Sequence, residues 1–113
     1  SMMRKITRFI MQNFAYLAKQ LEQMPEGGGN VLDNTLIYAT SEYAEGYQHS
    51  VNELPVLMAG GAGGTLLGGH HIREQGGNLS RAQLTALKAL GLPFDSFGFS
   101  GGETSSAFTD ILA

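Results

Sequence analysis

The stretch TLIYAT, residues 35–40, and its counterpart LPVLMA, residues 54–59, decide how this chain is read. Both runs are short and almost continuously apolar, without the in–out alternation of a strand that has one wet face. Such a pattern suits strands covered on both sides, as in a parallel α/β sheet. Pro55 falls near the start of the second run, where a missing donor is tolerated. Thr65-Leu66-Leu67 offers a third short strand. The expectation is an α/β fold: a small, mostly parallel sheet of two to three strands flanked by two helices.

The helices read from spacing and punctuation. Ile6, Phe9, Ile10, Phe14, Leu17, Leu21 and Met24 recur at steps of three and four, with Arg8, Gln12, Lys19 and Gln23 facing away. That period predicts a helix over 4–24, ended by Pro25 and Gly27-Gly28-Gly29. Arg4, Lys5 and Arg8 crowd its first turns, where the helix dipole disfavours cations. A second helix is predicted over 80–90, with Ser80 as N-cap, Gln83 at the capping-box position and Leu84, Leu87 and Leu90 as its buried stripe. Gly91 is the expected residue after its last turn, and Pro93 blocks continuation. Residues 26–34 read as a loop, and the tail from Phe94 onward as a packed irregular segment.

With 113 residues the chain suffices for one domain, 1–113, burying roughly two-thirds of its unfolded surface. Seven Lys and Arg against ten Asp and Glu leave no overall basic field for nucleic acid or an anionic membrane. Zero cysteines exclude disulfide and thiolate chemistry. No apolar run approaches the roughly 20 residues that span a bilayer. The N-terminus lacks the apolar block and cleavage site of a signal peptide.

The chemistry-bearing residues cluster past the first strand, in TSEYAEGYQHS, residues 40–50. Ligands of open α/β sheets bind beyond the carboxyl ends of strands. Carboxylate and imidazole form a ligand set for zinc or a harder divalent ion, which marks Glu42, Glu45 and His49. The same residues also suit an ordinary polar loop, since Glu-x6-His is not a recognised ligand spacing. His70 and His71 are adjacent, so in extended chain they point to opposite sides. Arg73 beside them is placed to hold an anionic group. Gly60-Gly61-Ala62-Gly63-Gly64 lacks the Lys-Ser/Thr of a P-loop and opens no helix, so nucleotide binding is not expected. The Gly-x-Ser-x-Gly nucleophile elbow does not occur.

Several motifs, taken in order, resemble a known family. Leu32-Asp33-Asn34-Thr35-Leu36-Ile37-Tyr38, Ser41-Glu42, Gly46, His49-Ser50 and Leu54-Pro55-Val56 form one part of the pattern. Gly60-Gly61-Ala62-Gly63-Gly64, Gly68-Gly69-His70-His71-Ile72, Gly91-Leu92-Pro93 and Asp95-Ser96-Phe97-Gly98 form the other. Over about Phe14 to Phe99 the chain is similar to the C-terminal segment of the bacterial domain-of-unknown-function family numbered 1552, which is related to the alkaline-phosphatase and sulfatase-like superfamily. The resemblance implies the C-terminal part of an alkaline-phosphatase-like fold. It also implies a strand-end ligand at Glu42 and a following one at His49 for a divalent metal, for which zinc, manganese and calcium are the candidates. His70 or His71 matches a family feature, and export to the periplasm is common among members. Ser41-Glu42 departs from the Asp-His or Asp-Asn of the better-known hydrolases, and the superfamily's nucleophile has no counterpart here.

Two functions follow as expectations. One is the C-terminal fragment of a metal-dependent phosphoric or sulfuric ester hydrolase, inactive by itself, with Glu42 and His49 on a metal and His70, His71 and Arg73 on an anionic substrate. The other is a non-enzymatic α/β module that self-associates through the 6–24 helix or an exposed strand edge.

Overall fold

Helix α1, Met2–Glu22, opens with Ser1 Oγ accepting the Arg4 amide at 3.3 Å. No acidic residue occupies its first turn, and none of its residues is buried. Only Phe14, Ala18, Gln20 and Leu21 are half-buried. Phe14, Ala18 and Leu21, at steps of four and three, form the narrow side that leans on the next turn of chain. The computed structural model describes all residues, 1–113.

The segment after α1 is a tiny antiparallel hairpin, β1 (Pro25–Glu26) and β2 (Gly29–Asn30), closed through Gly27 at φ +57°. A single 3-10 turn, Val31–Asn34, follows. Asn30 Oδ1 accepts the Asp33 amide and Asp33 Oδ2 accepts the Asn30 amide, each at 3.0 Å, a reciprocal cap that fixes the approach to the sheet.

The sheet corrects the sequence reading. Strands β3 (Ile37–Thr40) and β4 (Val56–Ala59) pair antiparallel, Ile37 opposite Ala59 and Thr40 opposite Val56. A mostly parallel sheet of two to three strands is therefore not formed. A parallel pair needs a crossover, usually helical, of a dozen or more residues. Residues 41–55 contain no helix and instead fold back on themselves, with the Ala44 amide donating to Ser50 O at 2.8 Å and the Ser50 amide to Glu45 O at 3.2 Å. The expected third strand is also replaced. Leu66 makes one antiparallel bridge to Leu112, and the Ala113 amide donates to Thr65 O at 2.9 Å.

Backbone passes against backbone where β4 ends. Gly60 has φ +100°, and a Cβ there would lie 2.0 Å from the Thr35 carbonyl oxygen. At Gly61 the amide donates to Leu32 O at 3.0 Å. A side chain at Gly60 would push these strands of chain apart, so the glycine run closes the fold mechanically.

Helix α2, Ser80–Ala89, lies against one sheet face. Its start differs from the expected cap: Leu79 takes the cap position, and Asn78 Oδ1 accepts the Ser80 amide at 3.0 Å. Asn two residues earlier makes the Asx turn that outcompetes a serine cap. The buried residues are Ala82, Leu84, Thr85, Ala86 and Ala89, whereas Leu90 of the expected stripe is exposed. Gly91 at φ +75° ends the helix, with the Leu92 amide donating to Leu87 O at 3.1 Å.

Thr85 stitches the tail to α2. Its Oγ1 donates to Arg81 O at 2.6 Å and accepts the Phe108 amide at 2.8 Å, entirely out of solvent. Ala62, Leu66 and Ala89 form the core centre, with Leu36, Met58, Ile111 and Leu112 packed around it. The core is small: 8 of 113 residues are buried. A radius of gyration of 15.4 Å, against the roughly 13 Å of a well-packed domain this long, reflects a slab of 46 × 40 × 20 Å.

Candidate functional site

Two loops carry the candidate residues. The first, residues 41–55, leaves β3 and returns to β4. Glu42 and Glu45 are exposed along it. His49 takes φ +50° and stacks on Tyr43, ring centroids 4.5 Å apart and planes 14° from parallel. The inward turn at Ala44–Ser50 and this stack give the loop local order despite its exposure.

The second loop runs from Gly68 to Gly77 with little regular structure. His70 and His71 both lie exposed on it. Arg73 donates to Glu53, an ion pair that joins the end of the first loop to the middle of the second. That hydrogen bond, then the charge of Glu53, holds the Arg73 guanidinium pKa above its ordinary value. Both partners stand in solvent, where such a pair is screened and easily exchanged for another anion.

Arg73 also lines a cleft of about 290 Å³ with Glu74, Arg81, Phe108 and Asp110. His70 and His71 do not line it. Arg81 is the residue that sequence reasoning missed here. Its guanidinium lies 4.2 Å from the Phe108 ring centroid, Nε donates to Ser106 O at 2.9 Å, and Nη1 meets Glu74 at 2.5 Å. An arginine in the first turn of a helix whose dipole disfavours it was the available signal. In this setting Arg81 is tied to Glu74, Ser106 and Ala107, whereas Arg73 has one exposed partner, Glu53.

A second, apolar hollow of about 220 Å³ separates β3 from α2, lined by Tyr38, Gln83, Ala86, Leu87 and Phe97. The Tyr38 hydroxyl is buried without a hydrogen-bond partner, and burial raises its pKa above the ordinary phenol value.

The donor set of Glu42 and His49 suits a divalent metal in kind but is incomplete in number. A structural zinc takes four protein donors, and a catalytic one takes three. No group of three or more His, Asp or Glu side chains in the structure is arranged to hold a metal ion. These residues do not by themselves form a coordination shell. No family model, no curated protein and no solved structure matches the chain.

Proposed function

We propose that this chain contributes substrate-side loops to a metal-dependent hydrolase of phosphoric or sulfuric esters, as its resemblance to the sulfatase-like superfamily implies. In this reading Arg73 holds an anionic ester oxygen, aided by His70 or His71. Glu42 and His49 supply two donors to a divalent ion whose remaining ligands come from outside this chain. The metal would stabilise charge on the ester and activate the attacking group. The chain alone turns over no substrate, because the nucleophile is not among these residues. The observation that carries the reading is the Arg73–Glu53 pair, which brings the anion-holding loop to the carboxylate- and imidazole-bearing loop.

Glu53 acts as a stand-in anion, so removing it tests the assignment. Glu53→Gln should tighten binding of inorganic phosphate or sulfate severalfold in a calorimetric titration, and Arg73→Gln should abolish it. Equal phosphate affinity in wild type and both variants would remove Arg73 from the site. Titration with zinc, manganese and calcium tests the donors separately. Heat of binding that vanishes in Glu42→Gln and His49→Gln supports them, and heat unchanged by either substitution removes them.

The second reading, a self-associating module, is favoured by a specific observation. Phe9 and Ile10 on α1 are 65 % and 59 % exposed, in a chain that buries few residues.

A further inference from the structure

The apolar residues of α1 divide into two sides. At about 100° per residue, Phe14, Ala18 and Leu21 project together and are the ones half-buried against the Val31–Asn34 turn. Ile6, Phe9, Ile10, Tyr16 and Leu17 fall beside them on a second stripe whose apolar side chains are all exposed. Lys5, Arg8 and Lys19 border this stripe on its far edge. Four of the seven basic residues precede the first acidic one, Glu22, and the rest of the chain carries three bases against ten acids.

The sheet offers the complementary surface. Tyr38 and Met58 face α2 and the core, so alternation sends Ile37, Ala39 and Leu57 to the opposite face. Leu57 is 38 % exposed there, and a two-stranded sheet leaves both outer edges unpaired. The loop leaving this sheet carries Glu42 and Glu45, and at its return Glu53, which is paired with Arg73. An apolar stripe edged with cations and an apolar face edged with carboxylates therefore occur on one chain. A 21-residue helix is about 31 Å long and a four-residue strand about 13 Å, so a helix laid over the sheet overruns it and reaches the acidic loop.

We propose that two copies of this chain associate reciprocally, the open stripe of α1 from each lying across the Ile37–Ala39–Leu57 face of the other. The proposal rests on the self-association reading and names its geometry. Such an isologous pair uses both surfaces of both copies and closes at two. Lys5, Arg8 and Lys19 then meet the partner's loop acids, which makes the contact weaken as salt rises.

Light scattering on the full chain tests this. The expected mass is twice that of one chain, and Phe9→Asp or Leu57→Asp should each return it to one chain with helical circular dichroism retained. Charge reversal gives the decisive arm. Lys5→Glu/Arg8→Glu/Lys19→Glu alone and Glu42→Lys/Glu45→Lys alone should each be monomeric, while their equimolar mixture regains the doubled mass. A monomeric wild type at hundred-micromolar concentration overturns both the proposal and the self-association reading. A dimer abolished by Phe9→Asp but indifferent to Leu57→Asp overturns only the reciprocal geometry, because the helices would then pair with each other. A mixture that stays monomeric also overturns that geometry.

Discussion

The Arg81 guanidinium stacks 4.2 Å from the centre of the Phe108 ring, pinning the tail of the chain to the first turn of α2. The same side chain donates to Ser106 O at 2.9 Å and to Ala107 O at 3.4 Å, and so satisfies carbonyls that no strand or helix would otherwise pair. Arg81→Ala should destabilise the fold by about 2 kcal/mol, from the lost hydrogen bonds and the cation–π contact together. Arg81→Lys should recover less than half of this, since an ammonium cannot reproduce the guanidinium fork. Urea unfolding followed by circular dichroism measures both.

Gly60 is the glycine at which an added side chain would meet the tightest contact. Its φ of +100° and the 2.0 Å approach of a Cβ to Thr35 O combine strain with a backbone clash. Gly60→Ala should cost about 3 kcal/mol or more, enough to consume much of the stability of a small domain. Gly63 has φ +75° but open space around it, so Gly63→Ala should cost only about 1 kcal/mol. Comparison of the two urea midpoints separates the clash from the strain.

Tyr38 places a hydroxyl where nothing accepts or donates. Tyr38→Phe should raise stability at neutral pH by on the order of 1 kcal/mol, because an unpartnered buried polar group is removed. The pH dependence has a definite sign. Burial raises the folded-state phenol above its ordinary value, so the folded state keeps its proton after the unfolded chain has lost its own. Wild-type stability from this group is intact below about pH 10 and falls above it. The advantage of Tyr38→Phe should therefore widen as pH rises past that point, as read from unfolding curves across the alkaline range.

Much of the element placement was legible, and the reasons are local. The three- and four-residue spacing of Ile6 through Leu21 is the signature of α1, and Gly91 before Pro93 marks the end of α2. Strand direction was not legible. Apolar runs at 35–40 and 54–59 mark both segments as extended, but do not show that one sheet face stays open, nor which way a neighbour runs. That is decided by the 41–55 connection, which closes on itself through main-chain bonds from Ala44 and Ser50. The cap of α2 was missed because Asn78 Oδ1 takes the Ser80 amide in an Asx turn, which draws Ser80 into the first turn of the helix instead of leaving it outside as the cap. At the candidate site, Glu42, His49, His70, His71 and Arg73 were recognisable by residue type alone. The Arg73–Glu53 link was not, since it joins residues twenty apart through a fold that had not been foreseen. Arg81 went unnoticed because its partners in the 104–110 tail carry no sequence period.

Amide hydrogen exchange over residues 2–13 of α1 tests the central claim, that the exposed stripe is covered by a second copy, most directly. A helix half with no buried residue is marginal in water and its amides should exchange rapidly when uncovered. The account predicts that protection of these amides, and of Ile37 and Ala39, rises together as protein concentration is increased. Rapid exchange at α1 at every concentration, or protection that does not change on dilution, would contradict it.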